Sequence, residues 1–428
     1  SGSGSAPLVF QYTIQAGETD SDGISIGANA LTLNSGTIRD AAGNGATLTH
    51  SAVSANSSYM VDTTGPTAPS VSGTTPTTDQ TPTWSWNSGG GGNGTYRYKL
   101  DSTDLTSGAT QTTDTSYTPG DNISTGTHVL YVQERDAVGN WSSSGSSTIV
   151  INTTAPSVNS VAISSATGSQ NSLLNAGDVV SVTATFSESV IVDNAGGTPT
   201  LTLIVGSTNR TATYASGSGS APLVFQYTIQ AGDNDSNGIS IGTNALSLDN
   251  GTIRDAAGNN ATLTHSSVAD NSSYMVDAIL PTVDSVEITS ATTGMQNNFL
   301  NAGDVVSVTA TFSEVVNKTG TPQLTLAVGS NNRTATYASG TGSAPLVFQY
   351  TIQAGDNDTD GISIGANVLA LNNGTISDPA GNNATLTHSA VSDNNSYKVD
   401  TTAPTVDNFT LSDSLLTVDE TATVDLVF

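Results

Sequence analysis

One segment of this sequence is written three times. SGSGSAPLVFQYTIQAG occupies 1–17 and 216–232, and returns at 339–355 with a single change, Thr341. A second signature follows each copy and also closes the stretch between the first two: VDTTGP at 61–66, INTTAP at 151–156, VDAILP at 276–281 and VDTTAP at 399–404. Its prolines lie 90, 125 and 123 residues apart. Repetition at domain-sized intervals excludes a single globule and requires a tandem array, each unit closing its own core. The expected units are a C-terminal half-domain at 1–66, a shorter domain at 67–153, full domains at 154–279 and 280–402, and the opening of another at 403–428. The sequence therefore reads as a window on a longer array.

Within a unit the apolar period is two. Val180, Val182, Ala184 and Phe186 alternate with Ser181, Thr183 and Thr185; Leu201, Leu203 and Val205 do the same, as do Leu223, Phe225, Tyr227 and Ile229. Alternation of this kind marks a strand with one buried face, and no 3.6-residue apolar pattern persists anywhere. Seven strands are expected in the 154–279 unit, at about 157–164, 178–186, 199–205, 209–214, 221–230, 239–254 and within 261–277. The 67–153 unit is expected to use Thr83–Trp86, Tyr96–Leu100, His128–Glu134 and Thr148–Asn152, and it holds all three tryptophans, Trp84, Trp86 and Trp141. The fold class is all-β: tandem immunoglobulin-like β-sandwich domains in an elongated array.

Charge narrows the partners. Nine Lys and Arg face 36 Asp and Glu, a formal charge of −27, which opposes nucleic acid and anionic membrane and favours an abundant cation. There is no cysteine, so any staple must be built from oxygen. No run approaches the roughly 18–20 apolar residues of a membrane span.

The acidic residues fall in three recurrent places. After each 17-residue run comes a loop with oxygen-bearing side chains at alternate positions before a glycine: Glu18, Asp20 and Asp22; Asp233, Asp235 and Asn237; Asp356, Asp358 and Asp360. This is the pattern of a calcium loop, although the twelfth position is Asn29, Asn244 or Asn367 where a bidentate Glu would close an EF-hand. An Asx-rich hairpin turn is the competing reading. The second place is the D-x-A/V-G-N turn, with Asp136, Asp255 and Asp378. The third is the linker, with Asp62, Asn152, Asp277 and Asp400. Successive antiparallel strands alternate in direction, so Glu188 after the second strand, the turn Asp255 and the linker Asn152 should meet at one end of a unit. Glu314, Asp378 and Asp277 should meet likewise in the next. Three carboxylates so close repel unless an ion neutralises them. The loop at 233–238 should lie at the opposite end, beside Asp277. Tight turns and solvated linkers are the competing readings here too.

TFSE at 185–188 and 311–314, together with the D-x-A/V-G-N and V-D-T-T-x-P signatures, resembles the bacterial immunoglobulin-like repeats of very large, calcium-dependent surface adhesins. That resemblance covers essentially the whole chain. It implies a secreted, non-enzymatic extender region on the bacterial cell surface, stiffened by Ca2+ between domains, with neighbouring repeats as its partners. Two other functions remain open: a carbohydrate-binding module at 67–153 built on its tryptophans, and a subunit of a self-assembling biofilm filament with homotypic contacts. No catalytic constellation repeats. His50, His265 and His388 share one repeat position and are expected to be structural.

Overall fold

A computed structural model describes residue 4, residues 7–291 and residues 295–428. Among these the regular structure is β, with two short 3-10 turns, Ser57–Tyr59 and Ser272–Tyr274, and no α-helix. The chain divides into two compact units, Ser1–Pro156 with Arg254–Ala261, and Ser157–Ile253 with Thr262–Phe428.

In the first unit, residues 70–151 form two sheets. Strands Ser70–Gly73, Trp84–Asn87 and Ser116–Tyr117 make one; Thr110–Thr112, Thr95–Leu100, Gly126–Arg135 and Gly145–Ile151 make the other, in those spatial orders. This three-and-four division is that of a seven-strand sandwich. Strand Gly126–Arg135 buries every second residue from His128 to Glu134, and its Leu130 and Val132 pack with Trp84, Trp86, Tyr96, Ile149 and Ile151. Trp84 is 0% and Trp86 2% exposed. The paired tryptophans are core and offer no stacking platform for a sugar. Trp141 is half-buried under the Arg97 guanidinium, 4.3 Å from its ring centroid.

The second unit holds two copies of one architecture. In the first copy Val158–Thr167, Val179–Asp193, Ser220–Thr228, Thr208–Ser216, Thr200–Val205 and Leu246–Ser247 follow one another across a continuous curved sheet. The second copy repeats that order with Val283–Ala291, Val305–Lys318, Ser343–Thr351, Asn331–Ser339, Gln323–Val328 and Leu369–Ala370. The alternation read from the sequence is the burial observed: Val180, Val182, Ala184 and Phe186 are all 2% exposed or less, and their counterparts Val306, Val308, Ala310 and Phe312 likewise.

Two expected strands differ. The sixth, at about 239–254, survives only as Leu246–Ser247 and Thr252–Arg254, and the seventh only as Met275–Asp277. Polar residues break the alternation there, and the chain is stitched by isolated bridges, Ile204 with Ser240 and Ile241 with Val268. The histidines supply further stitches. His265 accepts from the Ala245 N–H on Nε2 at 2.8 Å and donates from Nδ1 to the Ser266 carbonyl, also at 2.8 Å. Its own N–H donates to Asn244 Oδ1, fixing Asn244 at φ 54°. His50 and His388 make the same set of bonds with Asn29 and Asn367.

Candidate metal centre

Among the described residues, acidic ligands gather in one place. Carboxylate oxygens of Asp277, Glu314 and Asp378 all lie within 4.8 Å of one another, with Asp378 buried and the other two half-buried. Each arrives by a separate device. Asp277 ends the strand Met275–Asp277, held between Leu173–Leu174 on one side and Asn234–Asp235 on the other. Glu314 sits where the strand Val305–Lys318 loses register with Ser343–Thr351, between the Thr311 and Val316 pairings. A register shift re-aims a side chain. The same strand is anchored to the linker, because Ser313 N–H donates to the Thr282 carbonyl at 2.8 Å. Asp378 opens the turn DPAGN. Its two oxygens accept from the Asn382 N–H at 2.9 Å and from Asn382 Nδ2 at 2.7 Å, and Asn382 Nδ2 also donates to the Asp277 carbonyl at 2.8 Å.

The turn is braced from the preceding copy as well. Asn171 Nδ2 donates to the Pro379 carbonyl at 2.8 Å and Asn175 Nδ2 to the Ala380 carbonyl at 2.7 Å. Burial raises the Asp277 carboxyl above its ordinary range, the Ile279 N–H opposes the rise, and the Asp378 charge adds to it. Burial also raises Glu314, helped by the charges of Asp277 and Asp378. Such a trio is an electrostatic deficit that a divalent cation with oxygen ligands removes.

The linker meets the D-x-A/V-G-N turn twice more, with different chemistry. Asn259 Nδ2 donates to the Asn152 carbonyl at 2.8 Å and to Asp255 Oδ2 at 2.7 Å, while Asn152 Nδ2 donates to the same Asp255 Oδ2 at 2.9 Å. Asn140 Nδ2 likewise bridges the Asp62 carbonyl at 3.0 Å and Asp136 Oδ2 at 2.8 Å. Burial opposes ionisation of Asp136, but Asn140, Gly139 and Val138 together hold its carboxyl below the usual range. Glu188 is half-buried on the strand Val179–Asp193, which runs on through it as Val305–Lys318 runs on through its counterpart Glu314. Asp62 and Asp400 are exposed, and each accepts the N–H two residues on at 2.9 Å, from Thr64 and Thr402.

The loops after the repeated run are built otherwise than a self-contained ion site. Asp233 is 2% exposed; its Oδ1 pairs with Arg210, 2.7 Å from Nε, and its Oδ2 accepts from the Tyr227 hydroxyl at 2.5 Å and the Gln230 N–H at 3.0 Å. Asp235 accepts from the Gly206 N–H at 2.7 Å and the Gly238 N–H at 2.9 Å. In the second copy Asp356 pairs with Arg333, Tyr350 and Gln353, and Asp358 with Gly329 and Gly361. These bonds are those of an Asx-rich turn, the competing reading of the loop, with Asp233 and Asp356 each paired to an arginine. Burial, then the Asp233 and Asp356 partners, pushes the Tyr227 and Tyr350 hydroxyls up to about 12. Asn237 is spent on Asp270, and Asp360 is exposed. In the loop after residues 1–17, Glu18 takes the Tyr12 hydroxyl and the Gln15 N–H, Asp20 takes the Gly23 N–H, and Asp22 is exposed.

The loop does lie beside the linker. Asn234 pairs with Asp277 and Asp235 with Val276, and Ala278 N–H donates to the Asp233 carbonyl at 2.8 Å. Its glycine is required by close packing: at φ 96°, a Cβ on Gly238 would stand 2.0 Å from the Asn271 carbonyl oxygen. The Arg–Asp–Tyr staple was missed in the sequence, although Arg210 and Arg333 are two of only nine basic residues and share one repeat position.

No protein-family model matches the chain, and no curated protein matches it. Among solved structures it is similar to one from a 1.5-MDa bacterial ice-binding adhesin, at 16% identity and TM-score 0.33 over 79% of this chain and 100% of that one. It is similar also to the FN1–FN3 domains of chicken CNTN1, at 10% identity and TM-score 0.23 over 76% and 98% of the two chains. An α-L-rhamnosidase from Dictyoglumus thermophilum aligns at 9% identity and TM-score 0.20 over 69% and 48%. These likenesses do not assign a family. What the chain's own residues show is an all-β fold in which Asn152, Asp277 and Asp62 each lie against a D-x-A/V-G-N turn, Asp277 within a carboxylate triad.

Proposed function

We propose that this chain is a non-enzymatic extender segment of a bacterial surface adhesin, in which Ca2+ stiffens the joint between successive sandwiches. The observation that carries the reading is the convergence of Asp277, Glu314 and Asp378 on the linker between two copies of one architecture. Each carboxylate comes from a different part of that joint: the linker, the second long strand and the D-P-A-G-N turn. An ion held by all three ties those parts together, and its binding free energy becomes resistance to bending and to unfolding. Hard oxygen ligands without cysteine or clustered histidine select Ca2+ over softer metals. Partners are then calcium and the neighbouring repeats, and the setting is the outside of the cell, where calcium is abundant. The sequence signatures TFSE, D-x-A/V-G-N and V-D-T-T-x-P support the adhesin assignment.

The test is thermal unfolding of the whole chain by far-ultraviolet circular dichroism, with calcium and with excess chelator. At calcium 100-fold above Kd the ion adds about 2.7 kcal/mol. For a domain of roughly 120 residues that raises Tm by about 10 °C. Superimposable melts with and without chelator would end the proposal.

A further inference from the structure

We infer that Asn152 is a built-in cation substitute, so that the array contains two chemically different joints: one that needs calcium and one that is latched by an amide. The inference deepens the proposed function and rests on it only for the calcium-dependent joint. Its basis is a comparison inside one molecule. At both joints the turn asparagine, Asn259 or Asn382, donates from Nδ2 to the linker residue's carbonyl at 2.8 Å and to the turn aspartate at 2.7 Å. The backbone frame is also the same: Asp255 N–H donates to the Asn259 carbonyl and Asp378 N–H to the Asn382 carbonyl, both at 3.1 Å.

Within this common frame the linker side chain differs by one functional group. Asp277 brings a second carboxylate to Asp378, with oxygens of the two within 4.8 Å. Asn152 instead brings an N–H donor, which reaches Asp255 Oδ2 at 2.9 Å. A carboxylate facing a carboxylate requires a positive charge between them. An amide facing a carboxylate supplies the bridging hydrogen itself, as a charge-assisted hydrogen bond. Asn152 therefore does at its joint what the ion does at the other, and one substitution sets each joint's demand for calcium. An array mixing the two kinds keeps some joints closed when calcium falls and releases others.

The experiment is amide hydrogen exchange on the full chain, in calcium alone and in excess chelator, for wild type and for the reciprocal variants Asn152→Asp and Asp277→Asn. In wild type, chelation should speed exchange across 378–382 by at least 10-fold and leave 255–259 unchanged. Asn152→Asp should make 255–259 chelator-sensitive by a similar factor, and Asp277→Asn should make 378–382 indifferent. If 255–259 responds to chelator in wild type, or stays indifferent in Asn152→Asp, the inference is overturned. If 378–382 is indifferent in wild type, the proposed function fails instead, and the Asn152→Asp arm still decides this inference. The wild-type comparison needs no variant to fold.

Discussion

His128 Nδ1 is 2.7 Å from Asp101 Oδ2, and its Nε2 is 2.9 Å from the Ser124 carbonyl and 3.4 Å from the Ser124 hydroxyl, a setting that favours the protonated ring. Its pKa is raised, first by the Asp101 hydrogen bond, against the lowering effect of burial. A folded pKa above the unfolded one gives stability that is complete below the unfolded value and lost as pH rises through the folded value. The 67–153 sandwich should therefore become easier to unfold as pH climbs above about 6.5. Urea titration followed by tryptophan emission reads this directly, since all three tryptophans lie in that sandwich. Asp101→Asn should flatten the dependence; a midpoint that holds steady or increases across that range in wild type would contradict the assignment. Asp233 poses a different case, a carboxylate buried against a guanidinium. Its side chain is 0% exposed and that of Arg210 33%. Removing the arginine leaves a buried charge facing only Tyr227 and Gln230, so Arg210→Met should cost about 2–3 kcal/mol, the exposed part of the arginine keeping the loss at the lower end. Equilibrium denaturation should show this loss equally with and without calcium. If calcium instead rescues the variant, the loop is an ion site after all.

At the scale of the element, the joint around Asp277 has its own pH signature. Without calcium, the raised carboxyls of Asp277 and Glu314 favour the protonated joint. Stability is thus greatest at low pH and falls as pH rises through their raised folded values. Calcium should reverse the trend, because it binds the ionised form. Melting of the chelated chain between pH 4 and pH 7 should show Tm falling, and Glu314→Gln should shrink the fall; a Tm that rises over this interval in chelator would refute the repulsion. How much of this element was legible follows from what each motif encodes. Strands from 179 to 228 were readable because Val, Leu and Phe on one face are a statement about burial. The convergence of linker, strand and turn was readable from strand direction alone. Oxygen spacing in Asp233–Gly238 did not by itself separate an ion loop from a turn, since Asp and Asn alternate equally well when each caps a backbone N–H. Nor could spacing show that Asn244, which stands where a closing Glu was sought, is there to adopt φ 54° and receive the His265 N–H.

For the whole molecule the issue is whether added calcium acts through the joint or through total charge. The formal charge of −27 produces a general repulsion that any salt screens, with a Debye length of about 8 Å at 0.15 M ionic strength. The triad is different. Its groups are within 4.8 Å, partly withdrawn from water, and poorly reached by monovalent ions. Two stabilising effects of calcium therefore separate by salt. If the ion only reduced net charge, 1 M sodium chloride in the presence of chelator would restore the full melting temperature. If it fills the triad, salt should restore only a minor part of the roughly 10 °C expected from specific binding. Location separates them as well. The 67–153 sandwich has an aromatic core; at its far linker Asn152 brings an amide to Asp255, and at its near linker the Asp62 carboxylate is exposed and accepts the Thr64 N–H. Tryptophan emission, which reports that sandwich alone, should melt at one temperature with or without chelator, while circular dichroism, which reports every strand, should gain an earlier transition when calcium is removed. An array in which only some units shift is not two-state, and the two probes must then disagree. Coincident transitions that move together on chelation, or full rescue by sodium chloride, would mean that calcium acts on this chain through its total charge rather than through the joint.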